Sequence, residues 1–157
     1  MFRGTVYENI KFAKSDAEKQ EINETVDKFG LRTIFDSLPD GLESNVGEMG
    51  RNLSEGQRQA VSIIRAFIRD PEILIMDEAT SQIDPRSEYL IIQALQKFLT
   101  NKTLILITHR FSMISIVDRI VVMELGKMVQ TGEFNDLVNR EGLFRDLYRI
   151  QRGLSYS

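Results

Sequence analysis

Apolar positions recur at helical spacing over residues 61–68, and a capping pattern precedes them. Ser54 and Gln57 form the S-x-x-Q arrangement of a helix-capping box. We therefore predict a helix that begins at Ser54. It should end at Asp70-Pro71, because proline disfavours helical geometry in the residue before it.

Continuous apolar runs mark the strands, at residues 73–76 (ILIM), 103–108 (TLILIT) and 120–123 (IVVM). Such runs are typical of strands that are buried on both faces in a parallel sheet. Between the first two runs, Asp84-Pro85 predicts a helix start with aspartate as the cap and proline at the first helical position. Strands that alternate with helices predict an α/β fold with a largely parallel sheet.

The remaining segments carry weaker patterns. Residues 15–38 and 133–151 are predicted to be helical, whereas residues 42–53, with two glycines, are predicted to form a loop. A turn at 125–127 should lead into a short strand near 128–130.

Composition narrows the class of protein. With 157 residues, of which 42% are hydrophobic and 27% charged, the chain fits one globular domain with a real core. With a net charge of -3, the chain has no excess of basic residues that would indicate nucleic-acid binding. The lack of cysteine excludes disulfides and cysteine zinc sites. The chain start lacks the apolar core of a signal peptide, and no apolar run approaches the ~18 residues that span a bilayer.

One candidate site lies at the start of the capped helix. The first turn of a helix has unpaired N–H groups and a positive dipole end, which together bind phosphate. Gly56 would let a ligand approach the backbone closely, and the Ser54 hydroxyl can donate a hydrogen bond. The alternative is a capped surface helix without a ligand.

A second candidate site follows two strands. Asp77 can hold the water shell of Mg²⁺, and Glu78 can orient or deprotonate an attacking water. The alternative is two carboxylates that cap a turn. His109, the only histidine, follows the 103–108 strand and is expected at the same sheet edge as Asp77. A lone histidine is more often structural.

Together these segments resemble the ABC ATPase family. RNLSEGQRQ matches the signature motif, ILIMDE the Walker B strand, SQID the D-loop and THR the His-switch, in the family's order and spacing. The resemblance covers nearly the whole chain. GTVYENI, LPDGLESNVGEMG and the C-terminal HRFSMISIVDRIVVMELGKMVQTGEFNDLV resemble the exporter branch, with residues 47–50 in the place of the exporter coupling loop.

The resemblance implies a partial P-loop NTPase. Residues 1–72 would form a helical subdomain with the signature helix, and residues 73–157 the second half of the catalytic α/β core. ATP and Mg²⁺ are the implied cofactors. A second cassette and the transmembrane domains of an exporter are the implied partners, with no nucleic acid. The implied location is the cytoplasmic face of a membrane, through membrane domains that this chain lacks.

The resemblance also assigns roles to residues. Two cassettes of the family sandwich two ATP molecules, and the signature of one faces the ATP of the other. Asp77 would serve Mg²⁺, Glu78 would act on the water, and His109 would contact the γ-phosphate. The implied signature residues are Leu53, Ser54, Glu55, Gly56 and Gln57, of which Ser54, Gly56 and Gln57 would contact the γ-phosphate. The implied D-loop residues, at the dimer seam, are Ser81 and Asp84.

Some family features are missing or altered. No G-x-x-x-x-G-K-[ST] sequence occurs, and the Q-loop glutamine should lie just before Gly4, where only three residues precede it. We therefore expect a cassette cut after its Q-loop, inactive in isolation. Glu55 stands where glycine is commoner, and Ile83 replaces the commoner D-loop leucine.

Two rival functions remain open. A non-enzymatic remnant would only bind a partner cassette or membrane domain. The missing Walker A favours it, whereas the intact Asp77, Glu78 and His109 favour origin in a working ATPase. A chromosome-maintenance ATPase of the SMC type would need long coiled-coil heptads before the signature, and residues 15–38 are too short and irregular.

Overall fold

The computed structural model describes residues 1–77 and 83–153 as a mixed α/β fold. Among these residues, short 3₁₀ turns lie at Gly41–Glu43, Glu48–Gly50 and Phe111–Ile116. The helices and strands are α1 (Val6–Lys11), α2 (Lys19–Lys28), α3 (Arg32–Phe35), α4 (Glu55–Phe67), β1 (Ile73–Asp77), α5 (Pro85–Phe98), β2 (Thr103–Ile107), β3 (Ile120–Glu124), β4 (Lys127–Gly132), α6 (Phe134–Asn139) and α7 (Leu143–Gln151).

The predicted capped helix is confirmed as α4. Its cap is reciprocal: the Gln57 N–H donates to the Ser54 hydroxyl at 3.2 Å, and the Ser54 N–H donates to the Gln57 side chain at 2.8 Å. Val61 and Ile64 are fully buried on its apolar face. The helix ends at Phe67, shortly before the predicted stop.

The chain divides into two compact units, Met1–Ile107 and Thr108–Ser157. In the first unit, α4 packs against α1, α2, α3 and α5. Phe67 stacks on Phe98 with ring centroids 4.1 Å apart and lies 4.5 Å from Phe29. Aromatic pairs at these distances add to the hydrophobic stabilisation of the core. The predicted division after residue 72 stays a prediction.

A buried polar contact fixes α1 on α4. Asn9 is only 1% exposed, and Arg65 of α4 donates to its backbone oxygen at 2.6 Å and to its Oδ1 at 2.8 Å. The Asn9 amide donates in turn to the carbonyls of Phe2 and Thr5. Because these buried polar groups are paired, they specify how the helices meet instead of destabilising the core.

β1 and β2 form the predicted parallel pair, from Ile73 opposite Thr103 to Asp77 opposite Ile107. The prediction that both faces are buried is wrong. Met76 is 6% exposed, whereas Ile75 is 65% exposed on the other face of β1. Successive side chains in a strand point to opposite faces, and described residues cover only one face of this pair.

The second unit contains a hairpin. β3 pairs antiparallel with β4, so the inference that the 120–123 strand joins a parallel sheet is wrong. Leu125 and Gly126 take positive φ values of 47° and 75° in the connecting turn, and a two-residue turn of this kind favours local antiparallel pairing. α6 and α7 cover the hairpin around a core of Val122, Leu137 and Phe144.

The two long predicted helices are each divided. Residues 15–38 contain α2 and the single turn α3, separated at Gly30, whose φ of 71° ends a helix. Residues 133–151 contain α6 and α7, separated at Gly142 with φ 142°. The loop predicted at 42–53 is irregular apart from its 3₁₀ turns. Within residues 1–77 and 83–153, no helix is long and apolar enough to cross a membrane.

Candidate functional site

The signature segment, residues 53–57 and called the signature turn below, contains the cap and the first residues of α4. Leu53 is 4% exposed and anchors the segment in the core. Ser54 adopts extended geometry, and its hydroxyl caps α4. The helix itself has no carbonyl partner for the N–H groups of Glu55 and Gly56, as in the first turn of any α-helix. The segment therefore presents the backbone geometry that favours an anionic group.

Gln57 is bonded inside the protein. Its side chain is 6% exposed, and its Nε2 donates to the Ile34 carbonyl at 3.1 Å and to the Ser37 hydroxyl at 3.0 Å. Its Oε1 accepts from the Ser54 N–H. Gln57 thus joins the signature turn to α3. Its expected contact with a γ-phosphate stays a prediction, and these bonds indicate a supporting role.

Glu55 is paired with Arg58. The Arg58 guanidinium donates to the Glu55 carboxylate at 2.6 Å and to the Leu53 carbonyl at 2.7 Å. A further donation, at 3.2 Å, reaches the Gly50 carbonyl. Because a carboxylate beside a phosphate would repel it, this pairing offsets the effect of a glutamate at a position where the family commonly has glycine. The i,i+3 spacing of Glu55 and Arg58 is a signal for the pair that is visible in the sequence.

Asp77 ends β1 at the carboxyl edge of the parallel pair, where its side chain is exposed. Glu78 and Ser81, the predicted catalytic carboxylate and D-loop serine, lie outside the described residues. The described residues contain no group of three metal-ligating side chains close enough to hold an ion. Mg²⁺ commonly keeps several waters and needs only one or two carboxylates, so one exposed aspartate fits the predicted water-mediated role.

Asp84 is confirmed as the cap of α5. Its carboxylate accepts from the Ser87 N–H at 3.0 Å and the Arg86 N–H at 3.1 Å. These hydrogen bonds, chiefly those from Ser87, hold the pKa of Asp84 below its usual value. Gly56 lies against the same turn, because a Cβ built on it would be 2.6 Å from the Ser87 side chain. The start of α5 is therefore in contact with the signature turn.

His109 lies two residues beyond the end of β2, in the second unit. The residue is exposed, and its carbonyl accepts from the Gln151 side chain at 2.7 Å. The Arg110 N–H donates to the Thr108 hydroxyl at 3.0 Å, which bends the chain after the strand. The predicted contact between His109 and a phosphate stays a prediction.

Sequence reasoning missed three supporting residues: Arg58, Ser37 and Ser87. The sequence does indicate the role of Arg58, through its i,i+3 spacing from Glu55. No local sequence pattern indicates Ser37 or Ser87, since each contacts α4 only when distant segments pack together.

Comparisons with known proteins agree with these features. The family model described as "ABC transporter" matches residues 1–81. The chain is 41% identical over 151 residues to the ATP-dependent lipid A-core flippase of Chromobacterium violaceum, covering 96% of this chain and 26% of that protein. It is also 41% identical to the mitochondrial potassium channel ATP-binding subunit of Xenopus tropicalis, covering 96% of this chain and 22% of that protein.

A solved structure shares the fold as well. The structure of a bacterial Atm1-family ABC exporter with ATP bound matches with a TM-score of 0.86 and 32% identity, over 96% of this chain and 27% of that one. The chain thus spans about a quarter of the length of the proteins that it matches. The capped signature helix, the strand that ends in Asp77 and this family match agree, and the chain belongs to the ABC transporter family.

Proposed function

We propose that this chain is an ATP-binding and ATP-hydrolysing part of an ABC exporter, and that it couples ATP hydrolysis to transport across a membrane. One observation supports the proposal most directly. β1 and β2 run parallel with Asp77 opposite Ile107, so both strands end at one edge of the sheet. Ligands of open parallel sheets bind beyond that edge. β1 ends in Asp77, after which the chain continues into Glu78, and β2 is followed by Thr108-His109.

The proposed chemistry divides among these residues. Asp77 holds the water shell of Mg²⁺, which when bound neutralises charge on the phosphates. Glu78 orients the attacking water or accepts its proton, and His109 contacts the γ-phosphate. Asp77 is the poorer base, because a carboxylate committed to the metal shell is less free to take a proton.

The signature turn serves an ATP molecule held by a second cassette. Ser54 and the first-turn N–H groups of α4 face the γ-phosphate, while Gln57 and Arg58 hold the turn in place from inside. Asp84 belongs to the seam between cassettes. The proposed partners are therefore a second cassette and the transmembrane domains of an exporter, at the cytoplasmic face of the membrane. The names of the relatives differ in what is moved, so their likeness assigns no substrate.

The test is a chimera in which this chain replaces the matching segment of the Chromobacterium violaceum flippase. The parental chimera should hydrolyse ATP. Glu78→Gln keeps size and hydrogen bonding but removes the base, so it should lower hydrolysis by at least about a hundredfold while ATP binding survives. Asp77→Asn should weaken Mg²⁺-dependent ATP binding as well as turnover.

Glu72→Gln is the matched control, because Glu72 is exposed just before β1 and has no assigned role. It should hydrolyse ATP at the parental rate. Near-parental hydrolysis by Glu78→Gln would reject the catalytic assignment. An inactive but correctly folded parental chimera would favour a chain that only binds its partners.

A further inference from the structure

The backbone conformation of Gly56 does not explain why this position is a glycine. Most glycines of the described chain take positive φ values, but Gly56 lies in regular α4 geometry. A Cβ built on it would lie 2.6 Å from both Cβ and Oγ of Ser87, a separation that real side-chain carbons do not reach. Glycine is therefore required at this position by the closeness of α5.

The same contact includes the cap of α5. Asp84 Oδ2 lies 3.4 Å from the Cβ position built on Gly56, and Asp84 Oδ1 accepts the N–H of Ser87. The first turns of α4 and α5 thus meet at one point. Ser87 belongs to the capped turn of α5 and also touches the signature turn.

We propose that Ser87 is a positioning residue, which sets the place of the signature turn through its contact with Gly56. The signature turn and the start of α5 then move as one body within a chain. The inference rests on the proposed function, because the position of the turn has a catalytic consequence only where the signature meets a nucleotide.

A different role for Gly56 makes a different prediction. If Gly56 is glycine so that a phosphate can approach the backbone, Gly56→Ala should be harmful whatever residue stands at 87. If it is glycine because Ser87 occupies the space, removal of the Ser87 side chain should restore the stability and the ATP hydrolysis that Gly56→Ala loses. Compensation between the two positions therefore decides between the roles.

The first measurement uses thermal unfolding of the 157-residue chain. Gly56→Ala should lower the melting midpoint by about 3–10 °C, because overpacking moves a helix or a rotamer. In the Ser87→Gly background the same change should leave the midpoint unchanged or raise it, since alanine is the better helix former. Gly132→Ala is the control, because its added Cβ meets Leu137 no closer than 3.4 Å. It should change the midpoint little.

The second measurement uses ATP hydrolysis by the chimera. Gly56→Ala should lower the maximal rate by about a hundredfold, the size expected for a misplacement of about 1 Å, while ATP binding to the chimera stays intact. The double variant Gly56→Ala/Ser87→Gly should recover to near the rate of Ser87→Gly alone. A general loss of folding would instead lower binding and rate together.

Each outcome decides the proposal. Compensation in both measurements supports it. No compensation in thermal unfolding overturns it, and so does compensation in unfolding without recovery of hydrolysis. If the parental chimera is inactive, the proposed function fails. The unfolding measurement then still decides whether Ser87 sets the place of the turn.

Discussion

Gln57→Glu tests whether the signature glutamine is held inside the protein. The change replaces an amide by a carboxyl of the same shape. The side chain can still accept from the Ser54 N–H, but it loses the Nε2 group that donates to the Ile34 carbonyl and the Ser37 hydroxyl at 3.1 and 3.0 Å. An ionised carboxylate would instead place an oxygen against a carbonyl oxygen in a site that is 6% exposed.

The cost follows from these contacts. A protonated glutamate at this position can restore one of the two donations, so the lost hydrogen bond costs about 1 kcal/mol. Burial and the facing oxygens raise the folded pKa of the new carboxyl above the unfolded value near 4.3. Between the unfolded and the folded pKa, each pH unit adds about 1.4 kcal/mol to the loss of stability. Because the folded state then binds more protons than the unfolded state, stability falls as pH rises. We expect a loss of about 2 kcal/mol at about pH 5. With a folded pKa raised by about two units, the loss levels off at about 4 kcal/mol by about pH 7.5.

The assay is urea unfolding of the 157-residue chain at both pH values, followed by circular dichroism and compared with the parental chain at the same pH. Gln57→Met removes the hydrogen bonds without a titrating group, so its loss should not depend on pH. Gln93→Glu, on the exposed face of α5, should change stability by less than about 0.5 kcal/mol. An equal, small loss for Gln57→Glu at both pH values would refute the buried placement and favour a side chain that faces solvent.

Three further predictions concern the cap, the nucleotide and the exposed sheet face. Asp84→Ala should destabilise the chain by about 1 kcal/mol in urea unfolding, the usual cost of a lost helix cap. Because hydrogen bonds lower the folded pKa of Asp84, its contribution is present above the unfolded pKa near 3.9 and is lost as pH falls through the folded pKa, so the variant and parental stabilities should converge in acid. The 157-residue chain, which contains no G-x-x-x-x-G-K-[ST] loop to hold phosphates, should show no micromolar binding of Mg-ATP in isothermal calorimetry. We expect marginal solubility or self-association through the apolar face of β1 and β2, where Ile75 is 65% exposed. Ile75→Thr should therefore lower self-association in sedimentation velocity with little loss of stability. A parental chain that stays monomeric at high concentration would contradict this expectation.

Local patterns in the sequence predicted the elements that local interactions determine. The capping box of α4 joins residues three positions apart, and the Asp84 cap of α5 bonds to backbone groups two and three positions away. The strands at 73–77 and 103–107 follow from their apolar runs. The segments that resemble the signature, Walker B, D-loop and His-switch motifs are likewise contiguous, so the sequence alone indicated the family.

Only the tertiary structure decided which faces and which partners those elements have. The same apolar runs did not reveal that one face of β1 and β2 is exposed or that β3 pairs with β4, because periodicity reports a strand but not its neighbours. The sequence also did not show that Gly56 packs against Ser87 or that Gln57 donates to α3 and Ser37, and the expected ligand role of Gly56 and Gln57 stays a prediction. These contacts join residues that are distant in the chain, and such pairs meet only when helices pack. The sequence alone therefore indicated α4, α5, the strands and the family, whereas packing decided how the signature turn is held in place.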